Sequence, residues 1–135
     1  MDDCIFCKIV KGEIPCHKVY EDENFLGFLD INPLSLGNSL LIPKKHYRWV
    51  YDLPNFGSYF EAAKKIALAT MPVVKANATS FLTLGYEVPH AHIRIIPRFD
   101  NDQHTHGIDT DLTIKQNPQE LQELAKKIND SVSQL

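Results

Sequence analysis

The sequence predicts an α+β protein: an antiparallel sheet of about five strands with one long helix and a C-terminal helix. Three observations carry this. Strand-like runs cluster along the chain instead of alternating one for one with helices. One stretch, residues 55–76, repeats its apolar residues at helical spacing. A third, Val88-Pro89-His90-Ala91-His92-Ile93-Arg94-Ile95-Ile96-Pro97-Arg98, alternates apolar and polar residues as a strand does.

Taken in order, Cys4 to Lys11 is short, apolar and closed by Gly12, which predicts one or two helical turns. His17–Asp22 and Phe25–Ile31 read as strands, and the polar residues 21–24 between them make a hairpin. Pro33–Asn38 is a loop. Ser39-Leu40-Leu41-Ile42 is a fully apolar strand stopped by Pro43 and followed by Lys44-Lys45-His46. In the long helix, Phe56, Tyr59, Phe60, Ala63, Ile66, Ala67, Thr70, Met71 and Val74 form the expected buried stripe. Pro72 should kink this helix or end it early.

Ser80–Leu84 is a further strand, and Gly85-Tyr86-Glu87 turns it into the histidine strand as a second antiparallel pair. Asp100–Gly107 is a polar loop, and its His104-Thr105-His106 reads as solvated. Asn117-Pro118-Gln119-Glu120 is a helix start, with an N-cap, proline at the first position and a capping-box glutamate. Leu121, Leu124, Ile128, Val132 and Leu135 mark the apolar face of the helix that follows.

Composition narrows the class. At 135 residues the chain reads as one domain with a real core. Its residues are 44% hydrophobic and 23% charged, as in ordinary globular proteins. A net charge of -3 supplies no overall attraction to nucleic acid or an anionic membrane. No apolar run approaches a membrane span. Met1-Asp2-Asp3-Cys4 is acidic and lacks a signal-peptide layout, so a cytoplasmic location is expected, with thiols or metal ligands rather than disulfides.

The histidine strand carries the chemistry. Ala91, Ile93 and Ile95 should face one way and His90, His92 and Arg94 the other. A lone strand histidine is usually structural. Two on one face, with an arginine next in register, point to a site. Paired imidazoles suit metal ligation, proton transfer or nucleophilic attack, and the guanidinium suits a phosphate. Cys4-Ile5-Phe6-Cys7 is open to three readings: a redox pair, two unrelated thiols, or half of a zinc site. Zinc needs two more ligands, for which His46 and His90 are candidates, and such a closed Cys₂His₂ set would be structural. Cys16 reads as a plain small residue.

Taken together these features resemble the histidine triad family, in particular its small bacterial and archaeal members of the nucleotide-hydrolase type. The resemblance rests on four blocks in order: residues 4–15 (Cys-Ile-Phe-Cys-Lys-Ile-Val-x-Gly-Glu-Ile-Pro), 28–33 (Phe-Leu-Asp-Ile-Asn-Pro), 41–46 (Leu-Ile-Pro-Lys-Lys-His) and 88–98. It implies a single domain over residues 1–135, with its core in 4–98 and a C-terminal loop and helix in 99–135. It also implies a homodimer whose sheets join into one of ten strands.

The implied substrate is a purine nucleotide, AMP or GMP joined through its α-phosphate to a leaving group. By this resemblance His92 attacks phosphorus and forms a nucleotidyl-histidine. Zn²⁺ falls to Cys4, Cys7, His46 and His90. The base pocket falls on Phe6, Ile9, Ile14, Phe28 and Ile31, the ribose acid on Asp30, and Gly85 and Glu87 join the substrate-binding set. Asp30 also reads as a plain turn residue, because Ile-Asn-Pro follows it.

The chain departs from the family pattern around the phosphate. Arg94 stands where the third histidine belongs, and the transferase branches carry glutamine there. Asn38 replaces a histidine before the apolar strand, Tyr86 and Glu87 follow Gly85 where glutamine and a small or acidic residue are usual, and Thr79 falls at an asparagine position. Arg94 either clamps the α-phosphate as a permanent donor, or it overfills the pocket or pairs with Glu87 and disables turnover.

Overall fold

The computed structural model describes residues 3–135; Met1 and Asp2 of the acidic N-terminal run lie outside the described residues. Five strands form one antiparallel sheet: β1 (Lys18–Glu21), β2 (Phe25–Leu29), β3 (Ser39–Pro43), β4 (Ala78–Leu82) and β5 (Ile93–Arg98). Their order across the sheet is β1-β2-β3-β5-β4. Among the described residues three α-helices accompany them, α1 (Ile5–Val10), α2 (Phe56–Val74) and α3 (Pro118–Val132), with a single 3₁₀ turn at Val50–Asp52. The expected α+β class and its five antiparallel strands are therefore present.

Register sorts the side chains onto two faces. Phe28 opposes Leu40, Leu40 opposes Arg94, and Arg94 opposes Leu82, so these four share one face. On that side α1 brings Cys4 and Phe6 onto Leu26, Phe28, Leu40 and Ile42. The other face carries the larger core, where Leu41, Ile93 and Ile95 meet Tyr59, Ala63 and Ile66 of α2 and Leu121, Ala125 and Ile128 of α3. Tyr59 is fully buried, and its hydroxyl donates to the Leu41 carbonyl at 2.6 Å, so its polar end is satisfied.

Gly27 leaves room for this packing. A Cβ there would come within 2.9 Å of Ile66 Cδ1, so any side chain would force the Ile66 side chain to shift.

Local signals acted largely as the sequence indicates. Asn117 accepts from the Glu120 N–H at 2.8 Å, and the Glu120 side chain accepts from the Asn117 N–H at 2.9 Å, closing the capping box of α3. The Glu21–Asn24 turn is held by Asp22, whose Oδ1 accepts from the N–H groups of Asn24 and Phe25. Pro72 lies inside α2 and does not stop it at once. The helix runs to Val74 and closes on Lys75 in the left-handed region, φ 60°.

Three expectations need correction. The histidine strand begins at Ile93, not Val88. The N–H of His90 goes to the Val88 carbonyl at 2.9 Å and that of Ala91 to the Tyr47 carbonyl at 2.7 Å, so neither extends the ladder to β4. Phe56 and Leu135 lie outside the core at 43% and 67% exposure, while Ala62 and Ala69 are buried instead. His104 is buried, not solvated: its Nε2 donates to the Leu34 carbonyl at 2.8 Å and its Nδ1 accepts from the Asp109 N–H at 3.0 Å.

Candidate functional site

The approach to β5 collects the chemistry. Cys4 is the N-cap of α1, and its sulfur accepts the Cys7 N–H at 3.3 Å. One helical turn therefore puts both sulfurs on the same side. The Ala91–Tyr47 backbone bond draws the segment after β3 against the segment before β5. That brings His46 to His90, with ring centroids 4.8 Å apart and nearly perpendicular. The result is a cluster of Cys4, Cys7, His46 and His90 whose donor atoms all lie within 4.8 Å of one another.

The contacts define which nitrogen serves. His90 Nε2 lies 2.9 Å from the Pro43 carbonyl oxygen, an obligate acceptor, so Nε2 carries the hydrogen. Nδ1 is left as a lone pair, 3.2 Å from Cys4 Sγ and 3.4 Å from Cys7 Sγ. His46 Nδ1 is 3.2 Å from Cys7 Sγ. A ring fixed through its far nitrogen by a backbone carbonyl is the usual outer support of a metal ligand. Burial lowers the His90 pKa to about 4, so the ring is neutral, as a ligand must be. Burial, aided by Cys4, pushes the Cys7 thiol up to about 11. A cation would have to displace that proton, which ties metal binding to proton release. The donor set, its spacing and its support fit a tetrahedral zinc.

Phe6 joins this cluster to its neighbour. Its ring meets His90 edge-on at 5.8 Å, His92 at 5.3 Å and Phe28 at 5.9 Å. His92 is buried at 6% exposure, and its Nδ1 lies 2.8 Å from the His90 carbonyl oxygen. By the same reasoning Nδ1 holds the hydrogen and Nε2 keeps a free lone pair. Burial lowers the His92 pKa, and the charges of Arg94 and Arg48 add to the shift. The imidazole is thereby kept in its neutral, nucleophilic form.

Asp30 lies beyond the end of β2. Its Oδ1 accepts from the Asn32 N–H at 2.9 Å, so it is a turn residue as well as a carboxylate near the site. Burial raises its pKa, while the Asn32 bond and the charge of Arg94 pull the other way. Phe6 and Phe28 are buried in one apolar cluster with Ile9 against it. Ile14 is half-buried, and Ile31 stands out at 68% exposure.

Arg94 forms no ion pair within 4.0 Å among the described residues, so the expected alternative of pairing with Glu87 is not realised. Its Nε is buried without a hydrogen-bond partner. Glu87 is exposed. Asn38, by contrast, is fully buried and engaged: Oδ1 accepts from the Leu34 N–H at 2.9 Å and Nδ2 donates to the Ile95 carbonyl at 3.1 Å. It braces the Pro33–Asn38 loop against β5.

Sequence reasoning passed over a cleft of about 320 Å³ beside His92. Arg48, Trp49, Tyr51, Gly85 and Tyr86 line it together with His92. The available signal was Tyr47-Arg48-Trp49-Val50-Tyr51, an aromatic-rich run directly after the Lys-Lys-His block.

Similarity to known proteins agrees with this geometry. The HIT domain family matches residues 11–101, a stretch that begins after Cys4 and Cys7. An uncharacterised HIT-like protein of Methanocaldococcus jannaschii is 44% identical over 108 residues, covering 73% of this chain and 81% of that one. The adenosine 5′-monophosphoramidase of Schizosaccharomyces pombe is 34% identical over 136 residues, covering 96% and 98%. Among solved structures, a zinc-bound histidine triad family protein from Mycobacterium smegmatis aligns with a TM-score of 0.81 at 30% identity, covering 98% and 95%. The chain belongs to the histidine triad family.

Proposed function

We propose that this protein is a zinc-containing homodimeric hydrolase or transferase acting at the α-phosphate of purine nucleotide derivatives, with His92 as nucleophile. The observation that carries this is the His92 Nδ1–H bond to the His90 carbonyl, which leaves the Nε2 lone pair without a hydrogen-bond partner among the described residues, on a ring that lines the cleft. A relative whose activity is that of an adenosine 5′-monophosphoramidase supports the substrate class.

In the proposed reaction Nε2 forms a bond to phosphorus as the bond from phosphorus to the leaving atom breaks. The leaving group departs with that electron pair and takes a proton from solvent. Water then attacks phosphorus, the histidine–phosphorus bond breaks, and AMP or GMP is released with the water's second proton returned to solvent. Arg94 clamps the phosphate oxygens, where charge develops. Asp30 receives the ribose hydroxyls, and Phe6, Ile9, Ile14, Phe28 and Ile31 flank the base. Gly85 and Glu87 border the substrate. Cys4, Cys7, His46 and His90 hold a structural zinc, which supplies stability and fixes the approach to β5.

For the dimer, β4 is an edge strand of the sheet and its Phe81 is 45% exposed. Pairing two such edges gives ten strands and covers both β4 edges, leaving only the two β1 strands at the ends of the sheet.

A second reading follows from Arg94 itself: a nucleotide-binding protein with little turnover. A panel of nucleoside phosphoramidates and dinucleoside polyphosphates, with chromatographic detection of AMP or GMP, separates the two. Release of purine monophosphate is expected. Tight AMP binding with no release from any substrate would establish the second reading.

A further inference from the structure

Three exposed or half-exposed aromatic rings stand around the cleft that ends on His92. Tyr51 is 71% exposed and Tyr86 84%, values that need a reason in rings of this size. They are organised. Trp49 and Tyr51 lie parallel, 5° between planes and 6.0 Å between centroids. Tyr86 meets Trp49 edge-on at 5.8 Å.

The platform is also held still. The Arg48 guanidinium lies 3.7 Å above the Trp49 ring and donates to the Gly85 carbonyl at 2.6 Å. Gly85 adopts φ +75°, and a Cβ on it would come within 3.0 Å of Trp49 Cζ3. Backbone, cation and indole are thus in direct contact, and the ring is fixed before any ligand arrives.

We infer that Trp49, Tyr51 and Tyr86, backed by Arg48, form the subsite for a planar aromatic leaving group on the substrate. This deepens the proposed function and rests on it, because it assigns the second half of a substrate whose phosphorus lies at His92. The cleft, at about 320 Å³, has the size for one ring system and its linker. Arg94 points the same way independently. A guanidinium does not release a proton at physiological pH, so it cannot protonate the departing atom. Leaving groups whose anions are stabilised, such as aryl oxides, are therefore favoured over alkyl ones.

Trp49 is the chain's only tryptophan, so its fluorescence reports on this subsite alone. The test compares adenosine 5′-benzylphosphonate with adenosine 5′-methylphosphonate, in which carbon replaces the leaving atom and no turnover occurs. The benzyl compound should bind about tenfold more tightly and change Trp49 emission, while the methyl compound does neither. Tyr86→Ala and Tyr51→Ala should each shrink the difference and leave methylphosphonate affinity as it was. Equal affinity of the two compounds, with unchanged emission, overturns the inference and leaves the proposed function standing. Failure of both compounds to bind removes the proposed function, and this subsite with it.

Discussion

His90 donates its Nε2 hydrogen to the Pro43 carbonyl at 2.9 Å, and that bond turns Nδ1 toward both cysteine sulfurs. The proposed zinc therefore rests on a ring that β3 orients. Metal analysis of protein purified without chelators should find about one zinc per chain, as a closed four-ligand set requires. His46→Ala should lower both the zinc content and the melting temperature. A folded, metal-free protein whose Cys4 and Cys7 titrate freely would contradict the assignment.

Asp30 carries a cost that its proposed role explains. Burial raises its pKa in the folded protein, so between the unfolded and folded values the native state binds more protons. Stability consequently falls as pH rises through that window, and the ionised carboxylate weighs against folding at neutral pH. Asp30→Asn keeps an acceptor for the Asn32 N–H and removes the charge, so it should raise the melting temperature. The same change should weaken AMP binding, and Asp30→Ala by tenfold or more, since a charged hydrogen bond contributes about 1.5–3 kcal/mol. Calorimetry with AMP and a thermal melt test both halves. Unchanged affinity would put the ribose elsewhere.

The loop after β5 should fail in acid. Asp102, buried at 7% side-chain exposure, accepts from Arg98 Nε at 2.8 Å and from the N–H groups of Phe99 and His104. The Arg98 bond holds its carboxyl well below the usual carboxylate range. A depressed folded pKa gives stability that is complete above the unfolded value, ~3.9, and is lost as pH falls toward the folded one. Asp102→Ala should cost about 2–4 kcal/mol at neutral pH, because it leaves a largely buried guanidinium without its carboxylate, with only the longer bonds to Ser80 and Thr105 remaining. The difference between wild type and variant should shrink as pH drops below ~4. A difference that holds constant to low pH would contradict this.

Much of this was legible in the sequence because the signals were local. The α3 capping box, the Asp22 turn and the strand alternation each need only a few neighbouring residues. The Cys-x-x-Cys could be read as half of a metal site, but no spacing brings His46 to His90. The Ala91–Tyr47 backbone bond does that, and it joins residues far apart in the chain. Alternation predicted which way His90 and His92 face yet overran the strand, since it is blind to where backbone N–H groups go. His104 departs from expectation for a related reason: a polar loop predicts solvent, but the Leu34 carbonyl and the Asp109 N–H satisfy both of its ring nitrogens inside. Asn38 reads in sequence as the replacement of a family histidine and in three dimensions as a loop brace.

Arg94 should leave a kinetic signature. As a fixed cation it stabilises phosphate charge but gives no proton to the leaving group. Across a series of AMP esters and amidates, kcat/KM should fall steeply as the leaving-group pKa rises. Arg94→His should lower the rate on the most acidic leaving groups by about tenfold or more, a charged hydrogen bond being lost, and should flatten the series. An increase on every substrate would mean that Arg94 is the disabling substitution.

The central claim is covalent chemistry at His92, and intact-mass spectrometry tests it most directly. Rapid quenching in alkaline denaturant, which preserves a histidine–phosphorus bond, after mixing with an adenosine phosphoramidate should show wild-type protein heavier by one adenylyl group. His92→Ala should show no adduct and no turnover while still binding AMP. An adduct that persists in His92→Ala, or AMP release by that variant at the wild-type rate, would contradict the account.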